Sequence, residues 1–129
     1  MNFADTKLRD WKNEYVLSIL IGATESGYSS HWFSLDWDSD VWNHKPQGMF
    51  YSDYALQLLL DGKALEIVIE WPEERYEKTT LSLQQLIEGY ELNQRERPFD
   101  ADLESGAFLD ALTYDCILQY ALFKEIMFC

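Results

Sequence analysis

Residues 54–71, YALQLLLDGKALEIVIEW, restrict the fold of this chain more than any other stretch. Asp61-Gly62 is the two-residue chemistry of a tight primed turn between antiparallel strands. A turn there sets Leu58 opposite Leu65, Leu56 opposite Ile67 and Tyr54 opposite Ile69, all apolar and all on one face. The other face pairs Leu59 with Ala64, Gln57 with Glu66, Ala55 with Val68 and Asp53 with Glu70. A slip of one residue would mix the two faces, so one register is favoured. Pro72 ends the second strand, because it cannot donate to a ladder. The expectation is an antiparallel sheet with a hairpin turning at Asp61-Gly62.

Helical spacing flanks this stretch. Between residues 5 and 23, Leu8, Trp11, Tyr15, Ser18, Ile19 and Gly22 recur near one helix face. The end of that segment, EYVLSILIG, also reads as a buried strand, and periodicity alone does not choose. Residues 79–92 predict a short helix with Leu83, Leu86, Ile87 and Tyr90 on one side and Ser82 as its N-cap. Residues 93–106 read as a loop. From about 107 to 128 the chain is apolar nearly all round, the pattern of a buried helix. The chain of 129 residues fits one domain, 1–129. The predicted class is α+β: an antiparallel sheet around a central hairpin, packed against an N-terminal helix and a buried C-terminal helix.

The segment HWFSLDWDSDVW, residues 31–42, concentrates rings and carboxylates without any lysine or arginine. Alternation predicts a short half-buried strand, with Phe33, Leu35 and Trp37 on one side and Ser34, Asp36 and Asp38 on the other. On that pattern Trp37 belongs to the core, and Trp32 and Trp42 face solvent. The following NHKPQG is a loop by its proline and glycine.

Charge narrows the function. There are 23 acidic and 10 basic residues, a formal net charge of −13. Such a field repels nucleic acid and anionic membrane surfaces and attracts cations and basic proteins. Between Asn13 and His44 lie five carboxylates and no lysine or arginine, and the same holds between Pro98 and Phe123. Glu70, Glu73, Glu74 and Glu77 surround a single Arg75. A run of charge is often only a solvated face. Acids with so few internal partners are better explained by an external cationic one. Rings set among carboxylates supply contact area at low entropy cost, and the carboxylates steer association. The candidate partner-binding residues are therefore Trp32, Asp36, Asp38, Asp40, Trp42, Glu70, Glu73, Glu74 and Glu77. Each ring could equally fill the core of a small domain.

Recognisable chemistry is scarce. Asp36, Asp38 and Asp40 occupy the first, third and fifth positions of a calcium loop, but Val41 stands where glycine is needed and Gln47 where glutamate is needed. His31 and His44, the only histidines, lack the spacing of a zinc motif. Cys116 sits in an apolar run, where a thiol stays protonated and inert. No phosphate loop and no nucleophile elbow is present. The expectation is a protein without catalytic residues, cofactor or metal. Two cysteines, one of them residue 129, do not make a disulfide framework, which points to a reducing, cytoplasmic setting. The opening MNFADTKLRD lacks the apolar stretch of a signal peptide, and YVLSILIGA is too short to span a bilayer.

The acidity, the stretch LLLDGKALEIVIEWPEE and the tail DCILQYALFKEIMF resemble immunity proteins of bacterial contact-dependent inhibition and related polymorphic-toxin systems. The likeness is one of layout over the last two-thirds of the chain, and it transfers no individual functional residue. It implies a cytoplasmic protein that binds one cognate basic toxin domain, does no chemistry and protects the cell that makes it. A nuclease suits the role, since its cationic phosphate cleft can be filled by carboxylates. Two alternatives stand beside this. One is a phage-type nucleic-acid mimic, of anti-restriction or anti-CRISPR kind, which needs acids in rows at phosphate-like spacing. The other is a small metal-binding domain built on Asp36, Asp38, Asp40 and the histidines. The oligomeric state stays open; the apolar C-terminal helix could serve a dimer.

Overall fold

The computed structural model describes residues 16, 20, 21, 31–97 and 111–128. Strand β1 (Phe33–Leu35) is followed by a 3₁₀ turn (Asp40–His44) and helix α1 (Tyr51–Leu60). Strands β2 (Leu65–Trp71) and β3 (Arg75–Leu81) come next, then helices α2 (Leu83–Glu96) and α3 (Ala111–Phe123). The three strands form one antiparallel sheet in the order β1-β2-β3. The class is α+β, as the sequence predicts.

The central hairpin is a different one from that expected. Residues 51–60 are helical, and Asp61-Gly62 ends the helix instead of joining two strands. Gly62 adopts φ +85°. Its N–H donates to the carbonyl of Leu59 at 3.0 Å, and the Lys63 N–H donates to that of Leu58 at 2.9 Å. This is the Schellman arrangement, which satisfies the last carbonyls of a helix and needs the same left-handed glycine as a primed hairpin turn. The glycine signal was sound but two structures share it. Side-chain shape separates them: residues 51–60 hold no β-branched residue, whereas β2 carries Ile67, Val68 and Ile69. Tyr54, Ala55, Leu58 and Leu59 are buried, a helical spacing.

The hairpin that exists joins β2 to β3 through Pro72, Glu73 and Glu74, with Trp71 opposite Arg75 and Leu65 opposite Leu81. Thr79 to Leu81, expected as the start of a helix, complete β3 instead. Two adjacent threonines favour a pleated strand. Ser82 then caps α2, accepting from the Gln85 N–H at 3.1 Å while Gln85 Oε1 accepts from the Ser82 N–H at 2.8 Å. This reciprocal box starts the helix at Leu83, four residues after the predicted Thr79 but at the N-cap that the sequence names.

One face of the sheet is core. Phe33, Leu35, Leu65, Ile67, Ile69 and Leu81 are buried with Leu58 and Leu59 of α1, Leu86 and Tyr90 of α2, and Ile117, Leu118 and Ala121 of α3. Asp115 to Ala121 are buried without a break, so α3 is the enclosed helix that its all-round apolarity predicts. Helices α2 and α3 touch at Gly89. A β-carbon there would lie 2.6 Å from the Ile117 carbonyl oxygen and 2.7 Å from the Ala121 nitrogen.

At the N-terminal end, Val16, Leu20 and Ile21 are helical, which favours helix over strand for EYVLSILIG. Val16 and Leu20 are buried. They lie off the stripe predicted from Leu8 to Gly22, whose members fall outside the described residues. Residues 107–110 of the predicted last helix also fall outside them. Lys124, at φ 64°, ends α3. The tail beyond it doubles back, and Gln119 Oε1 accepts from the N–H groups of Met127 and Phe128, both at 2.8 Å.

Candidate partner-binding surface

Residues 36–42 form an arch at the end of β1. The Asp36 N–H still donates across the sheet to Glu66, at 2.8 Å, but the strand ends at Leu35. The Ser39 N–H returns to the Asp36 carbonyl at 3.0 Å, closing a turn with Trp37 and Asp38 at its two central positions. Asp36 Oδ1 accepts from the Asp38 N–H at 3.2 Å, the local bond that makes aspartate a turn opener. Ser39 Oγ accepts from the Val41 N–H and starts the 3₁₀ turn; its hydroxyl also donates to Glu66 Oε2.

The turn reverses the expected positions of the tryptophans. Trp37, predicted for the core, is 48% exposed. Trp32 and Trp42, predicted for the surface, are buried at 0% and 9% exposure. Strand alternation fails because the strand has stopped before Trp37. The 3₁₀ turn then brings Trp42 back inward, where its Nε1–H donates to the Asp36 carbonyl at 2.8 Å. Trp32 Nε1–H donates to Asp115 Oδ1 at 2.8 Å, and its ring stacks on Phe128 with centroids 5.2 Å apart. Trp32 thus belongs to an internal aromatic cluster with Trp71, Phe123 and Phe128.

Around Trp37 the structure assembles an exposed aromatic surface. Its ring centroid lies 4.9 Å from that of Tyr51, edge to face, and 5.2 Å from that of Trp42. Tyr51 opens α1 and is 45% exposed; Phe50, its N-cap, is 69% exposed. Sequence reasoning missed both. They cap and open a helix that the hairpin reading excluded, and no periodicity marks them. Lys45 Nζ sits 4.8 Å above the Tyr51 ring, held by the Met49 carbonyl at 2.6 Å.

The three aspartates of the arch are not equivalent. Asp36 is nearly buried, and its Oδ2 lies 3.6 Å from Lys78 Nζ. Asp40 is exposed, but Oδ1 accepts from Asn43 Nδ2 at 2.8 Å and Oδ2 lies 3.6 Å from His44 Nε2. The Asp38 carboxylate, exposed beside Trp37, has no hydrogen-bond or ion-pair partner among the described residues.

Glu70, Glu73, Glu74 and Glu77 are all exposed, at the other end of the sheet. Asp36 bonds near Glu66 at one end of β2 and Glu70 bonds to Trp32 near the other. Glu66 and Glu70 are four residues apart, about 13 Å at the usual rise per residue, and Glu73 and Glu74 lie beyond Glu70. Glu77 Oε1 accepts from Trp71 Nε1–H at 3.3 Å, and Arg75 lies 5.6 Å from the same ring. Glu73 and Glu74 form the tip, at φ 67° and 57°. The predicted site residues therefore divide into two separated acidic surfaces and two internal tryptophans. Among the described residues, Trp37 and Tyr51 at the arch end are two exposed rings that pack together, whereas the exposed Tyr76 by the tip has no ring contact.

No protein-family model, curated protein or solved structure matches this chain. Among the described residues there is no cluster of three or more histidine, cysteine, aspartate or glutamate side chains able to hold a metal ion. No helix among them is long and apolar enough to cross a membrane.

Proposed function

We propose that this chain is an immunity-type inhibitor that acts by binding in the cytoplasm, without chemistry of its own, and neutralises a cognate basic toxin domain. A nuclease, with its cationic substrate cleft, is the fitting target. The observation that carries the reading is the exposed ring of Trp37 packed on the half-exposed Tyr51, beside the Asp38 carboxylate that nothing among the described residues engages. Large exposed rings cost solvation unless something covers them, and aromatic anchors dominate binding energy where they are covered. The net charge of −13 supplies long-range attraction for a basic partner. Rings interrupting the acids suit a compact protein contact more than a phosphate-like row.

The test is co-expression with the short basic C-terminal domain of a secreted protein encoded immediately upstream in the source genome. The proposal expects that domain to arrest growth alone, and growth to resume with this chain through a stable complex of the two. Arrest that persists with the folded chain present overturns the reading. Inhibition of a restriction or CRISPR nuclease in its place would transfer it to the mimic class.

A further inference from the structure

The arch end of the molecule has the parts of a receptor for one particular side chain. Trp37 presents nearly half its surface to solvent, while Trp42 and Tyr51 pack against it and fix its ring. Asp38 follows it at the centre of the same turn, with a carboxylate that nothing among the described residues engages. The turn is tied by the Asp36 side chain and by the Trp42 indole, so the backbone that carries both groups is set before any partner arrives. Preorganised groups bind at lower entropic cost. The same ring group already holds a cation: Lys45 Nζ lies over Tyr51. A second ring in the fold, Trp71, has Arg75 beside it. Two rings of the fold thus already lie beside cations, and Trp37, at 48% exposure, leaves ring surface for a further one.

From this geometry we infer that the Trp37–Asp38 turn is a docking point for an arginine side chain of a protein partner. The guanidinium lies flat on the indole of Trp37 and donates to the carboxylate of Asp38. Arginine fits better than lysine for two reasons. A planar guanidinium stacks on an aromatic face, and its fork of donors matches a carboxylate two bonds at a time. An ammonium is a compact, strongly hydrated point charge and gains less from either group. This inference rests on the reading of the chain as an inhibitor of a basic protein, and it names the contact such a partner would make.

The experiment titrates the ¹⁵N-labelled protein, at low salt, with a capped Gly-Arg-Gly tripeptide and separately with capped Gly-Lys-Gly. The readout is the Trp37 indole N–H resonance, assigned by its loss in Trp37→Phe. The expected result is a saturable shift at Trp37 with the arginine peptide, no shift at the buried Trp32 indole, and weaker binding of the lysine peptide. Asp38→Asn weakens arginine binding and narrows the preference over lysine. A Trp37→Ala protein, followed through the Asp38 amide, binds arginine about five-fold more weakly, whereas Trp37→Phe retains most of the affinity. A Trp37 resonance that does not move, or moves equally with both peptides, overturns the inference. Growth rescue by this chain scores the inhibitor reading independently. Rescue with a silent Trp37 resonance removes the arginine contact alone. Arginine-selective binding without rescue removes the inhibitor reading and leaves the receptor.

Discussion

Trp42 donates its indole N–H to the backbone carbonyl of Asp36 at 2.8 Å, across six residues of chain. That single bond, with the Ser39-to-Asp36 bond inside it, holds the arch that lifts Trp37 and Asp38 to the surface. The two tryptophans have divided roles: Trp42 builds and Trp37 is displayed. Trp42→Phe should cost about 1–3 kcal/mol, from the lost bond and the smaller buried ring, although the Asp36 carbonyl keeps the Ser39 N–H as a donor. Trp37→Ala should cost about 1 kcal/mol or less, the loss of its ring contacts with Trp42 and Tyr51 at a half-exposed site. Urea unfolding of the two variants checks the ranking, and an equal cost for both would contradict the division.

The hairpin tip carries a different lesson. Glu73 and Glu74 both occupy left-handed backbone, which costs a residue with a β-carbon about 1–2 kcal/mol. Glycine relieves that strain and loses part of the gain to chain entropy in the unfolded state. Glu73→Gly and Glu74→Gly should each stabilise the fold by about 0.5–1 kcal/mol. Thermal unfolding gives the answer; a lowered midpoint in both would mean that these carboxylates contribute to the native state in some other way.

Gly89 should tolerate no side chain. Alanine would improve helix propensity by about 1 kcal/mol. Its β-carbon, however, meets backbone atoms of α3 at 2.6 and 2.7 Å, which cannot rotate away. The net effect of Gly89→Ala should be a loss of about 2 kcal/mol, from forced separation of α2 and α3. A neutral result would show that the two helices do not approach this closely.

Acid should release one surface tie. Glu88 has its pKa held below the ordinary carboxylate value, first by the hydrogen bond from Gln84 and then by Lys124. Lys124 Nζ lies 3.3 Å from Glu88 Oε2 and connects the end of α3 to α2. A lowered folded-state pKa means that the stabilisation is complete above the unfolded value, 4.5, and disappears as pH falls through the folded one. The stability difference between the native chain and Glu88→Gln should thus shrink steadily below that pH, as measured by urea unfolding from pH 7 to pH 3. A difference independent of pH would contradict the assignment.

Much of the fold was legible where side-chain pattern and end signals agree. Ser82 marked the N-cap of α2, Pro72 closed β2, and the all-round apolarity from about residue 107 to 128 marked an enclosed helix, of which Ala111–Phe123 is helical and 124–128 form a tail. Asp61-Gly62 misled because one left-handed glycine serves both a hairpin and a helix end. The lack of β-branching before it held the better clue. The candidate surface was half legible. The segment does bring Trp37, Asp38 and Asp40 to the surface, while Trp32, Asp36 and Trp42 are buried. The identity of the exposed ring was not legible, because a two-residue period carries no information once a strand ends. Where β1 ends is set by the Asp36 side chain closing on the Asp38 amide, a bond that many aspartates could make and few do. Tyr51 joins Trp37 only through tertiary folding, which no local pattern announces.

The central claim is that the Trp37 end of the molecule, and not the glutamate-rich hairpin tip, meets a basic partner. Stopped-flow association with the cognate basic domain, measured across a range of salt, tests it most directly. The account predicts that Trp37→Ala with Asp38→Lys weakens the complex at least about thirty-fold, the scale of a lost hot spot, and flattens the salt dependence of association. Glu73→Lys with Glu74→Lys should alter the rate modestly and leave dissociation unchanged. A complex indifferent to Trp37 and Asp38 but broken by reversal at the tip would contradict the account.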